Sequence, residues 1–233
     1  VNNGLRNREL NQSPDHTNKG VHVLSIKEQE LWLLPERALY RPALRELIIS
    51  DVHIGKAAHF RKNGIPVSGM INRNNFWQLS GLFDKYQVQT VVFLGDLSHS
   101  EHNQEWDDFV DFLENYPHIQ FELVAGNHDV LSKEHYLRAG ISLHPMIIRN
   151  EWCYLHEYQE TPHFTLSGHL HPAIRLYGKA RQSIKLDCFW LRENDLILPA
   201  FGDFTGRKMI TPEPSHQFFL IAGKEVIKFT NET

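Results

Sequence analysis

The sequence predicts an α/β protein in which two packed sheets are flanked by helices. Three observations predict it. Between Leu47 and Gly140, short apolar runs of strand length alternate with stretches of helical periodicity. Beyond Gly140 the apolar runs are mostly strand-like. No stretch rich in Gly, Ser or Pro separates the two halves, so a single domain over residues 21–233 fits better than two.

Residues 1–20 are polar, aperiodic and rich in Asn, and read as a flexible extension. Val21 to Ile26 and Leu31 to Leu34 flank Lys27-Glu28-Gln29 as a hairpin, and Leu47-Ile48-Ile49 is a short buried strand. Phe76, Leu79, Leu82, Phe83 and Tyr86 follow helical spacing, which predicts an amphipathic helix over residues 69–86. Thr90 to Leu94 is the next strand; Trp106, Phe109, Val110 and Leu113 mark a second helix; Phe121 to Val124 is a third strand. A short helix over residues 133–139 stops at Gly140, a C-terminal cap. The strand-like runs that follow are Trp152 to Leu155, Phe164 to Leu166, Cys188 to Leu191, Leu196 to Phe201, Phe218 to Ala222 and Val226 to Phe229. The last two are joined by a turn at Ala222-Gly223-Lys224.

With 41% hydrophobic and 22% charged residues, the chain is neither disordered, collagenous nor a coiled coil. No run approaches the about 18 apolar residues that span a bilayer, and the first twenty residues hold no apolar signal core. A cytoplasmic protein with no membrane partner is expected. The net charge of −4 means that any phosphate-binding surface must be local. Cys153 and Cys188 lie in apolar runs outside any C-x-x-C pattern and read as buried thiols. The distinctive count is fifteen histidines, the commonest metal-ligating side chain.

Five apolar runs end in residues able to bind metal: Asp51-Val52-His53, Gly95-Asp96, Gly126-Asn127-His128-Asp129, His156, and Gly168-His169-Leu170-His171. Each alone also fits a surface turn or a packed core histidine; together, each at a strand end, they do not. In open α/β sheets ligands collect beyond the carboxyl ends of the strands, so adjacent parallel strands would bring these ends together. Asp51 and His53 are two residues apart, as are His169 and His171, and in extended backbone such pairs share a face. The preceding glycines permit close backbone approach. Imidazole, carboxylate and amide oxygen without thiolate suit Mn, Fe, Zn or Ni in a catalytic rather than a structural role. The donors outnumber the needs of one ion and suit two, spaced about 3.5–4 Å apart and bridged by a carboxylate and a water.

On these residues the sequence resembles the calcineurin-like metallophosphoesterase superfamily. The Asp-Arg-Gly motif that follows the bridging aspartate in the superfamily's protein phosphatases is absent from Gly95-Asp96-Leu97-Ser98-His99-Ser100. His99 is similar to a histidine of the superfamily's double-strand-break repair nucleases. The sequence further resembles the bacterial ligase-associated DNA-damage-response phosphodiesterase (endonuclease) family at Asp51 to Ala57, Gly178 to Ser183, Leu198 to Gly202 and Phe204-Thr205-Gly206.

The resemblance implies a four-layer sandwich of two mixed β-sheets flanked by α-helices. It implies that Asp51, His53 and His171 hold one divalent ion, that Asn127, His156 and His169 hold the other, and that Asp96 bridges them. Mn2+ is the expected metal, with Fe, Zn or Ni as alternatives. His128 would face the scissile phosphate, His99 would hold and orient His128, and Asp129 would fix the loop. The expected chemistry is in-line attack by a metal-bridging hydroxide on a phosphodiester, in DNA during damage response, with DNA-repair ligase or helicase partners. Lys56, Arg61, Lys62 and Arg181, with Arg175, Lys179 and Lys185, are candidate phosphate contacts or simply solvated cations. Two other readings stay open: hydrolysis of a small phosphorylated metabolite or nucleotide, and a non-catalytic metal-binding module of a repair complex.

Overall fold

In the computed structural model, described here for residues 19–56, 60, 70–179, 182–203 and 205–230, alternation along each strand sorts side chains between two faces. The first sheet has seven strands in sequence order: β1 (His22–Ile26), β2 (Gln29–Leu34), β3 (Ala38–Arg41), β4 (Glu46–Ile49), β5 (Thr90–Leu94), β6 (Gln120–Val124) and β7 (Ile141–His144). The strands β1 to β4 pair antiparallel and β4 to β7 parallel, so the sheet is mixed. The β1–β2 turn places both Lys27 and Glu28 at positive φ, +48° and +60°, the twist that two-residue hairpins favour.

The second sheet holds β8 (Ile147–Arg149), β9 (Trp152–Tyr154), β10 (Phe164–Ser167), β11 (Pro172–Tyr177), β12 (Ser183–Leu191), β13 (Asp195–Ile197), β14 (Lys208–Met209), β15 (Gln217–Ala222) and β16 (Glu225–Phe229). It too is mixed: β9, β10 and β13 run parallel, whereas β12 is antiparallel to β11, β13 and β15.

The core shows the alternation directly. Leu47, Ile49, Val91 and Phe93 face one way, packing on Leu79, Leu82 and Phe83 of α1 (Met70–Tyr86), on Trp106, Phe109 and Leu113 of α2 (Gln104–Glu114) and near Tyr136 of α3 (Lys133–Arg138). Ile48, Val92 and Leu94 face the other way, against Trp152, Tyr154, Leu166, Phe189 and Phe219 of the second sheet. A smaller cluster of Ile174, Cys188, Phe218 and Leu220 covers the far face of that sheet. The three helices described all pack on the outer face of the first sheet. Asn103 caps α2 by accepting the N–H of Glu105 at 2.9 Å. Both cysteines are buried and free, and burial raises both thiols.

Five strands were not anticipated: β3, β7, β8, β11 and β14. All but β11 have at most four residues, too few to show a period, and β11 starts on a proline, which a strand tolerates at its first position. The expected strand from Leu196 to Phe201 stops at Ile197. Beyond it the chain crosses between the sheets, where Ser50 bridges Ala200 and Phe201 donates to the Ser50 carbonyl at 2.9 Å. The N-terminal extension expected over residues 1–20 lies outside the described residues up to residue 18.

Candidate metal centre

The five motif-bearing ends do converge, but from two sheets rather than one. The strands β4, β5 and β6 are adjacent and parallel in the first sheet, and β9 and β10 are adjacent and parallel in the second. Their carboxyl ends meet because the sheets pack face to face: His156 at the end of β9 reaches the Leu94 carbonyl at the end of β5, Nδ1 to O 2.9 Å.

The Asp-x-His and His-x-His pairs are not extended. Asp51, His53, Asp96, His169 and His171 all sit in the left-handed region, with φ between +48° and +65°. Non-glycine residues held there cost about 1–3 kcal/mol each and persist only where surrounding contacts hold them. Those contacts are backbone bonds between loops. His53 N–H donates to the Asp96 carbonyl at 2.9 Å, and Asp51 N–H donates to the Gly95 carbonyl at 3.2 Å.

Two groups result. Asp51, His53 and His171 form one, and Asp96, His156 and His169 the other; in each, the donor atoms lie within 4.8 Å of one another. Asp96 lies between them, with Oδ2 at 3.8 Å from His53 Nε2 and Oδ1 at 3.4 Å from His156 Nε2. Asn127 joins the second group, its Oδ1 at 3.0 Å from His156 Nε2. His169 Nδ1 is also 3.0 Å from His156 Nε2.

The donors fit a cation on an observation independent of their identity. Asp51 Oδ1, His53 Nε2 and His171 Nε2 are buried polar atoms without a hydrogen bond. Asp51 Oδ1 and His171 Nε2 approach to 3.0 Å without hydrogen-bond alignment, as atoms aimed at a common third point do. Buried polar groups are ordinarily paired, and three unpaired together mark a place for an ion.

The other nitrogens are tied down. His171 Nδ1 lies 2.9 Å from the Gly206 carbonyl, which would leave Nε2 to hold an ion. The glycines beside the site permit close contact, and Gly95 also sits at φ +78°. A Cβ on Gly95 would overlap the His156 ring, and one on Gly126 would overlap Asp96.

Electrostatics agree with ligand roles. Burial, aided by Lys56, lowers the His53 imidazole to about 2, so it stays neutral. Burial alone would lower His171, but its contact with Asp51 outweighs this and raises it; burial would raise Asp51, but His171 outweighs this and lowers it. Burial lowers the Lys56 ammonium, against the pull of Asp96 and Asp51, which puts Lys56 beside the centre.

The remaining sequence candidates divide. The His128 ring packs against both His99 and His53, with centroids 4.6 and 5.6 Å away. His99 packs on His128 by ring contact, and its Nδ1 also lies 3.0 Å from Nδ1 of His53, a candidate ligand. The Asp129 carboxylate accepts the backbone N–H groups of Gly126 at 2.8 Å and of Asp96 and Ser98 at 2.9 Å, so it knits loops together. Arg61, Lys62 and Arg181 lie outside the described residues. Sequence reasoning missed Tyr136, whose hydroxyl is 2.8 Å from Ser98 Oγ under the Asp96 loop; on a short helix it reads as ordinary core.

The calcineurin-like phosphoesterase family model matches residues 44–190. Among solved structures, the chain is similar to the Pseudomonas putida nuclease MPE, with 28% identity and a TM-score of 0.77 over 90% of this chain and all of that one. A second similar structure, the E. coli phosphoesterase Yfce, shows 13% identity and a TM-score of 0.41 over 78% of this chain and 96% of that one. No curated protein matches the chain. The match covers well over half of the sequence and contains all of the converging motifs, and the chain belongs to the calcineurin-like phosphoesterase family.

Proposed function

We propose that this protein is a two-metal phosphodiesterase that cleaves nucleic acid, with DNA under repair as its setting. The carrying observation is the pair of Asp/His groups with Asp96 between them and the His128 ring beside them. Similarity to a nuclease over nearly the whole chain supports the substrate class.

When bound, two divalent cations neutralise phosphate oxygens and lower the pKa of a bound water to about 7. The chain's residues do the rest. Asp51, His53 and His171 would hold one ion, His156, His169 and Asn127 the other, and Asp96 both. His128 donates a proton or hydrogen bond to the phosphate or leaving oxygen, a role worth about 10²–10⁴-fold. Lys56 adds positive charge at the rim. Repair ligase or helicase partners belong to the same reading.

The test is purified protein with Mn2+, and with chelator, on single-stranded and duplex DNA, bis(p-nitrophenyl) phosphate and p-nitrophenyl phosphate. Metal-dependent diester cleavage with DNA competing is expected. A clear preference for the monoester or for small nucleotides would overturn the nuclease reading. Full metal occupancy without hydrolysis would favour a scaffold. His128→Ala should keep its metal by elemental analysis and lose about 10²–10⁴ in rate; an emptied site would make His128 a ligand instead.

A further inference from the structure

We infer that the β11–β12 ribbon is a track for single-stranded nucleic acid leading away from the metal centre; this rests on the nuclease reading. The ribbon starts at the centre, since Pro172 directly follows His171. Its register pairs Ala173 with Asp187, Arg175 with Lys185 and Tyr177 with Ser183, so these six side chains share one face. That face continues the inner surface of the second sheet, because Phe189, two residues beyond Asp187, lies in the core between the sheets.

The first sheet covers this surface only as far as Asp187, where Arg37 of the β2–β3 turn lies 3.6 Å away. Arg207, whose neighbours Gly206 and Lys208 both bond His171, also pairs with Asp187 at 3.1 Å and neutralises it. Beyond that point Arg175 and Lys185 are exposed and have no carboxylate partner among the described residues, and Tyr177 is 77% exposed. At about 3.3 Å per residue, His171 and Tyr177 are about 20 Å apart, a span of several nucleotides.

The occupant follows from this composition. Two adjacent cations at the middle would meet phosphates, and an exposed ring at the end offers a base a stacking face. Like-charged residues directly opposite one another disfavour the empty ribbon and are relieved by an anion. In a chain of net charge −4, this local basic face is where a polyanion would be received.

The experiment uses full-length protein, a 20-nucleotide labelled single-stranded DNA and bis(p-nitrophenyl) phosphate. Arg175→Gln with Lys185→Gln should lower the ratio of DNA to small-diester turnover tenfold or more. The slope of log affinity against log salt should become shallower by about 1.4, because two fewer phosphates are neutralised. Tyr177→Ala should weaken DNA binding about fivefold or more without changing that slope. Lys224→Glu, an exposed cation in the β15–β16 turn, should leave the ratio as in the wild type. If the wild type cuts DNA and none of the ribbon variants changes the ratio, the track is wrong and the nuclease reading stands. If the wild type cleaves only small esters, both fall.

Discussion

The carboxylate of Asp129 accepts the backbone N–H of Asp96 at 2.9 Å and that of Gly126 at 2.8 Å, which ties the loop carrying Asn127 and His128 to the loop carrying Asp96. Asp129→Ala would leave three backbone donors, those of Gly126, Asp96 and Ser98, without their acceptor. A buried donor left unmet costs about 1–3 kcal/mol. Urea unfolding should show a loss of that order or more, and Mn2+ titration should show weaker binding. Normal metal affinity in Asp129→Ala would mean that the two loops hold their positions without it.

His99 Nδ1 sits 3.0 Å from Nδ1 of His53, a contact that would leave Nε2 of His53 to hold an ion. Partners of metal-bound histidines are worth about 10–100-fold in metal affinity. His99→Ala should therefore weaken Mn2+ binding by about that factor. His128→Ala, by contrast, should leave the metal in place. Calorimetric titration of both variants separates the two roles; equal metal affinity in both would remove His99 from support of the site.

Metal binding should depend on pH through His171, which Asp51 holds above its ordinary 6.5. A cation must displace that proton, so Mn2+ affinity should climb by up to tenfold per pH unit at every pH below the raised value, including the range from 6.5 up to it, and level off above. In metal-free protein the sign reverses. A raised folded value stabilises fully below 6.5 and is lost as pH rises through it, so the contribution of the Asp51–His171 contact to thermal stability should shrink in the same range. Flat Mn2+ affinity between pH 6.5 and 8.5 would refute this account.

Stability should depend on a buried ionic cluster away from the metal centre. Arg41 and Glu46 are 2% and 1% exposed and pair at 3.2 Å; Tyr154, from the other sheet, donates to Glu46 at 2.7 Å. Removing one member of such a pair costs about 3–5 kcal/mol, because the other charge is left buried and unmatched. Glu46→Ala should show that loss in urea. The fraction that stays folded should retain its metal, since Glu46 opens β4 and Asp51 follows its end. A change below about 0.5 kcal/mol would show that water enters the cluster.

The candidate donors that the fold gathers were legible in the linear chain. Apolar runs ending in Asp51, Asp96, Asn127, His156 and His169 are local patterns that need no fold to be read. The alternation within β4 and β5 was equally legible, because side-chain period and face are properties of a single strand. Three relations came only from the folded molecule: the ends arise from two sheets, five of the ligand candidates take left-handed backbone, and His99 meets His53 as well as His128. A fourth is that Arg37, Asp187 and Arg207, far apart along the chain, meet at the rim of the site. Such relations depend on how one sheet seats on another, a matter of long-range packing that leaves no period or spacing in a linear chain.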